Sequence, residues 1–298
     1  MGRPHEASEL VTEMPGRELP DRETLDREYD AAKSVPNVAN YIARYQAESK
    51  IARNKMSPIR DIQYGPTEDE RLDLFRTEDC TGPLALFFHG GYWRRLHKND
   101  FSFVAEALVK RGINIGVVNY GLAPKVPLRE ITAQAIRAVA YCSRSASKFG
   151  YNPTKIAVFG HSAGGQLAAM CALADWRAQN LPDDVVGGLV SMSGLHELEP
   201  LKYAFTNDWL NLTDEDVETL SPIRLVRKTN AFLVAAAGAK ESDSFKDQAR
   251  SFVKAWVATG SSGAYYESPD DNHYTICLRL IEPEHALVKA VVRAAGLS

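Results

Sequence analysis

The chain has 298 residues, 45% of them hydrophobic, and a formal net charge of −3. That length supplies one large core or two ordinary domains, and that charge gives no global field to draw nucleic acid or an anionic membrane. No apolar stretch reaches the roughly 18–20 residues a bilayer span needs, and the opening MGRPHEASEL lacks the apolar run of a secretory signal.

Cys80, Cys142, Cys171 and Cys277 are far apart and form no CxxC. They read as reduced, core-packed thiols of a cytoplasmic protein, not as a disulfide framework. Residues 1–55 are polar and charged, broken by Pro4, Pro15, Pro20 and Pro36. They predict a helical extension, placed to wrap the body or to act as a lid, with DRETLDREYDAAKS and VANYIARYQAESKIARNKM as its helices. A catalytic domain is expected over 56–298. IRDIQYG and RLDLFR alternate like exposed strands. LALFFHG is a continuous apolar run, as in a strand buried on both faces. DFSFVAEALVKRG reads as a helix ending at Gly112, INIGVVNY as a strand, and PLREITAQAIRAVAYCSRSASKFG as one long helix. KIAVFG is a strand and AGGQLAAMCALAD a helix. VVGGLVSMSG and AFLVAAAG are further buried strands, separated by a segment, 194–222, long enough for a cap insertion. The helix SFKDQARSFVKAWVATG, the strand AYYES and one or two closing helices complete the chain.

Strands alternating with helices argue for an α/β fold, a mostly parallel sheet with helices on both faces. Ligands on such sheets bind beyond the carboxyl ends of the strands. HGG, HSAGG, GAKESD and PDDNHY all fall at such ends.

A serine hydroxyl attacks at neutral pH only with a base in reach and an acid that orients the base. Gly160-His161-Ser162-Ala163-Gly164 fits GxSxG, a strained strand-to-helix turn that exposes the serine Oγ. The competing reading makes Ser162 a plain helix N-cap. In this arrangement the acid and then the histidine follow the serine in the chain. His273, in the polar loop SPDDNHYTIC, is the expected base, whereas His285 lies on a helical pattern and reads as surface. Glu241, Asp243 and Asp247 follow the AFLVAAAG strand. Glu241 is nearest the strand end and is preferred as the acid, with Asp243 as the alternative or as a helix N-cap. For the oxyanion, FFHGGYW offers the amides of Gly90, Gly91 and Tyr92, joined by that of Ala163 at the helix start. Tyr92, Trp93, His161, Trp209 and Tyr274 are candidates for the substrate pocket. Arg94 and Arg95 read as solvated surface rather than as partners of a substrate carboxylate. His89, His97 and His161 lack the spacing of a metal site, so no metal or cofactor is expected.

HGGYW followed by KNDFSF, with NYGLAP, GHSAGG, LSPIR and GAKESDSFKDQA, resembles the kynurenine formamidase (arylformamidase) branch of the α/β-hydrolases, which adjoins the hormone-sensitive-lipase-like esterases. The resemblance spans nearly the whole chain. It implies the α/β-hydrolase fold and a metal-free serine hydrolase that cleaves N-formyl-L-kynurenine to kynurenine and formate. Residue by residue, it implies Ser162 as nucleophile, His273 as base and Glu241 as acid, where many members carry aspartate. The expected partner is a small-molecule substrate, with no nucleic acid or membrane, and the oligomeric state is open between monomer and homodimer. Two other readings share the scaffold: a carboxylesterase or different amidase acting on a small acyl or xenobiotic substrate, and a non-catalytic binding protein.

Overall fold

The structure is a computed structural model and describes residues 19–297. The first eighteen residues of the expected extension, with Pro4 and Pro15, lie outside the described residues. Eight strands form one sheet: β1 (Ile59–Gln63), β2 (Arg71–Phe75), β3 (Pro83–Phe88), β4 (Asn114–Val118), β5 (Asn152–His161), β6 (Val186–Met192), β7 (Phe232–Gly238) and β8 (Gly263–Ser268). Their order across the sheet is β1-β2-β4-β3-β5-β6-β7-β8. The β1-β2 and β2-β4 pairs are antiparallel and all the others parallel. Register sets Phe88 against Gly160, His161 against Met192, Met192 against Ala236 and Gly238 against Ser268. The loops after β3, β5, β7 and β8 therefore leave from one edge, where α/β sheets bind ligands.

The helices are α1 (Arg22–Tyr29), α2 (Val38–Met56), α3 (Glu106–Val109), α4 (Leu128–Arg144), α5 (Ala146–Phe149), α6 (Ala163–Leu173), α7 (Glu199–Tyr203), α8 (Asn207–Leu210), α9 (Asp214–Leu220), α10 (Asp243–Ala258), α11 (Thr275–Leu278) and α12 (Ala286–Ala294). Side chains alternate across β3, so it serves two cores. Leu84, Leu86 and Phe88 pack with α1, α4, α6 and α10, while Ala85 and Phe87 pack with α2, α3 and α12. From α1 to α2 the chain thus passes from one face to the other. Residues 30–37 form a strap between α1 and α2, and Asp30, Ala31 and Ala32 reach the cavity at the sheet's carboxyl edge.

Three sequence expectations change. PLREITAQAIRAVAYCSRSASKFG is not one helix: the backbone leaves helical geometry at Ser145, which separates α4 from the short α5. The segment read as one helix over DFSFVAEALVKRG is two 3-10 turns, Lys98–Asp100 and Ser102–Val104, followed by the short α3. Phe101, Phe103 and Val104 are all buried, so no single face is left for solvent, and a His97–Asp100 capping box closes the first turn. β2 is not exposed: it lies between β1 and β4, and its Asp73 is buried against the Lys98 ammonium at 2.6 Å. Cys142, Cys171 and Cys277 are buried free thiols, and Cys80 is half-buried.

Candidate active site

Ser162 stands between β5 and α6 with φ 56° and ψ −122°. Such a backbone is costly for a side-chain-bearing residue and persists only where its surroundings fix it. Its N–H donates to the Met192 carbonyl at 2.8 Å, and its own carbonyl accepts from Gly165 at 2.8 Å. Close approach explains two of the neighbouring glycines. A Cβ on Gly160 would lie 2.1 Å from the Gly164 carbonyl oxygen, and one on Gly164 would lie 2.0 Å from that of Phe88. Ser162 holds the N-cap position of α6, yet its side chain makes no capping bond. The hydroxyl belongs instead to a cavity of about 600 Å³, open mouth included.

His273 lines the same cavity. Its Nδ1 lies 2.7 Å from Glu241 Oε2. A carboxylate only accepts, so Nδ1 carries the proton and Nε2 keeps its lone pair. Among the described residues no hydrogen bond joins Nε2 to Ser162 Oγ; such contacts commonly close only around substrate. Glu241 is buried, and its second oxygen accepts from Ser193 Oγ and from the Gly238 amide, both at 2.6 Å. Asp243 points elsewhere: its side chain is exposed and pairs with Lys246 at 2.8 Å. The N-cap of α10 is Ser242, not Asp243. Asp247 is exposed beside Arg250. His285 is half-buried and caps α12 through Nδ1, which accepts from the Leu287 amide at 3.2 Å.

The loop that bears His273 is held from several sides. The Asn272 side chain accepts the amides of Tyr274 and Thr275, both at 2.9 Å. Tyr45 of α2 donates its hydroxyl to the Tyr274 carbonyl at 2.5 Å, and Tyr41 stacks on the Tyr274 ring at 5.3 Å. His161 Nε2 lies 2.7 Å from the His273 carbonyl, so that nitrogen is the protonated one and Nδ1 is a buried acceptor with no partner among the described residues. Burial, reinforced by the nearby His273, holds the His161 pKa well below the usual imidazole value.

After β3 the chain turns sharply. Gly91 has φ 116°, and a Cβ there would lie 2.0 Å from the Arg95 carbonyl oxygen. Tyr92 and Trp93 follow at φ 51° and 54°. Among the described residues the amides of Gly91 and Tyr92 have no protein acceptor. His89 donates Nδ1–H to the Gly90 carbonyl at 2.8 Å, and burial pushes its pKa down to about 4. The Tyr92 hydroxyl donates to the Tyr29 carbonyl, which ties the loop to α1.

Of the residues expected from sequence, Gly90, Gly91, Tyr92, His161, Ser162, His273 and Tyr274 line the cavity. Ala163 follows Ser162 at the first position of α6. Trp93 and Trp209 stand outside the lining: Trp93 is fully buried, and Trp209 lies edge-on to Tyr92 and donates to its carbonyl at 3.2 Å. From 194–222 only Phe205 reaches the cavity, while Tyr203 is exposed. Sequence reasoning missed Asp30, Val38, Ile42 and Tyr45 from the N-terminal segment and Phe101 from the loop after β3. No local pattern announces them, because they come to the cavity through long-range packing.

A mostly parallel sheet that presents a strained serine turn at its carboxyl edge defines the class of α/β hydrolases. The chain belongs to that family, whose model, the alpha/beta hydrolase fold, matches residues 85–276; the protein is a hydrolase. Within the class it is similar to kynurenine formamidase of Danio rerio, 26% identical over 290 residues, 93% of this chain and 97% of that one. Kynurenine formamidase of Salmo salar is 27% identical over 269 residues, 88% and 90% of the two chains. Among solved structures, a protein provisionally described as a thioesterase, from a Silicibacter species, superimposes with a TM-score of 0.79 at 27% identity, covering 90% of this chain and 98% of that one.

Proposed function

We propose that the protein is a metal-independent serine hydrolase that releases formate from an aryl formamide, N-formyl-L-kynurenine above all. The observation that carries the mechanism is the buried Glu241–His273 contact of 2.7 Å at the cavity that Ser162 lines. The similarity to kynurenine formamidases over nine-tenths of the chain supports the substrate.

In this reading His273 Nε2 takes the Ser162 proton as Oγ bonds to the formyl carbon. Glu241 steadies the imidazolium that forms. The amides of Ala163 and the Gly90–Tyr92 loop receive the oxyanion, and the N-terminus of α6 adds its favourable dipole. The tetrahedral adduct collapses when the C–N bond breaks and His273 gives its proton to the departing aryl amine. An aryl amine leaves more readily than an alkyl amine because its lone pair delocalises into the ring. Water, deprotonated by His273, then cleaves the formyl ester, and formate departs as Ser162 regains its proton.

The test is turnover of N-formyl-L-kynurenine, followed by kynurenine absorbance, beside p-nitrophenyl acetate. Wild type should hydrolyse the formamide efficiently, and Ser162→Ala should lose at least about 10⁴-fold on both substrates. Hydrolysis of the ester alone would overturn the formamide reading and favour a carboxylesterase. Full activity in Ser162→Ala would overturn the serine mechanism.

A further inference from the structure

The cavity lining carries one charge of each sign. Arg95 lies four residues beyond Gly91, and its amide donates to the Gly91 carbonyl at 3.1 Å, so its place is fixed by the same turn that aims the loop amides. Its neighbour Arg94 is engaged, stacked over the Trp209 ring at 4.6 Å. The Arg95 side chain is exposed and has no ion pair, hydrogen bond or ring partner among the described residues, and it lines the cavity that contains Ser162. Asp30, from the end of α1, lines the same cavity. Its Oδ1 accepts the amides of Ala32 at 3.1 Å and Lys33 at 3.3 Å, which fixes the carboxylate in place. Among the described residues Oδ2 meets only the ammonium of Lys33, at 3.2 Å, from a side chain that is 78% exposed and easily released to water. Tyr274 lines the cavity with them: burial pushes its hydroxyl pKa up to about 12, against the pull of Arg95 and with the push of Asp30.

An anion alone would be drawn to Arg95 but repelled by Asp30, and an amine alone the reverse. A group that bears both charges satisfies both residues. Ile42, Leu96, Phe101, Phe205 and Tyr274 supply apolar wall in the same cavity, suited to an aryl ring. We propose that Arg95 and Asp30 read the α-carboxylate and α-ammonium of an amino-acid substrate whose aryl acyl-amide lies at Ser162. Arg95, exposed as the sequence reads it yet lining the cavity, then sets specificity. The proposal rests on the hydrolase reading of Ser162 but not on formyl transfer.

Calorimetric titration of the full-length protein tests it without relying on turnover. The ligands are L-kynurenine, kynuramine (the same molecule without the carboxylate) and 2-aminoacetophenone, which lacks both charges. L-kynurenine should bind about ten- to hundredfold more tightly than kynuramine. Arg95→Met should collapse that ratio towards one, and Arg95→Lys should restore part of it. Asp30→Asn should narrow the gap between kynuramine and 2-aminoacetophenone instead. Equal binding of L-kynurenine and kynuramine, no binding of L-kynurenine at millimolar concentration, or an Arg95→Met effect equal on all three ligands would overturn the proposal. A preserved ratio in a protein that fails to hydrolyse the formamide would leave the recognition standing and remove only the formamidase reading.

Discussion

Glu241 shows how much one side chain settles. It follows β7 by three residues, its amide bonds back to the Gly238 carbonyl at 3.0 Å, and its carboxylate accepts from Ser193, Gly238 and His273. Burying a carboxylate is costly unless its lone pairs are met, and here three donors meet them. The contact to Nδ1 fixes the tautomer that leaves Nε2 free. In Glu241→Gln the amide oxygen can still serve Ser193 and Gly238, but the NH₂ then faces Nδ1 and the proton moves to Nε2. We expect kcat on p-nitrophenyl acetate to fall about 10³–10⁴-fold, with the melting temperature shifted by only a few degrees. A smaller kinetic loss alongside a large loss of stability would mean that Glu241 serves the fold and not the histidine.

Among the elements, α2 braces the loop that carries the histidine. Tyr45 is 1% exposed and bonds to the backbone immediately after His273, and Tyr41 stacks on the next ring. Tyr45→Phe keeps the ring packed and removes one hydrogen bond, worth about 1 kcal/mol of stability. Its kinetic signature should be a severalfold lower kcat with little change in KM, measured on the same ester. An unchanged kcat would show that the loop stands without α2. The sequence revealed α2 itself well: the stretch read as helical from Val38 to Met56 is the helix observed, capped by Asn37. Its role against the His273 loop was hidden, because period and capping describe a helix but not what it packs against. The elbow was legible for the opposite reason: Gly160, Ser162 and Gly164 answer to one local turn. The segment after His97 misled because three buried aromatic and aliphatic side chains in a short run fit a helix pattern as readily as a pair of tight turns. Trp93 is suggested by its place beside Tyr92 and Trp209 by its place among the aromatics of 194–222, and neither fixes the direction a side chain points.

At the scale of the molecule, the strap from α1 to α2 passes the edge where the cavity opens. Asp26 accepts the Phe205 amide at 2.5 Å, Ser242 donates to the Glu28 carbonyl at 2.6 Å, and Arg22 pairs with Asp208 at 3.0 Å. α1 therefore joins the 199–210 segment to the start of α10. We expect it to limit the acyl chain that fits. A chain lacking residues 1–36 should keep α2 and its hold on His273, yet accept longer acyl groups. Across p-nitrophenyl acetate, butyrate and hexanoate, the preference for acetate in wild type should flatten in the truncated protein. An unchanged profile would place the limit in the body of the fold. The sheet order has a further consequence, for synthesis. β3 sits between β4 and β5, although both are made after it. At ribosomal rates of about 5–20 residues per second, the apolar LALFF strand waits several seconds, about seventy residues, before its second edge is covered. During that interval an apolar strand edge stays open to pairing with other chains, which ties translation speed between Phe88 and Gly160 to how much protein reaches the native state.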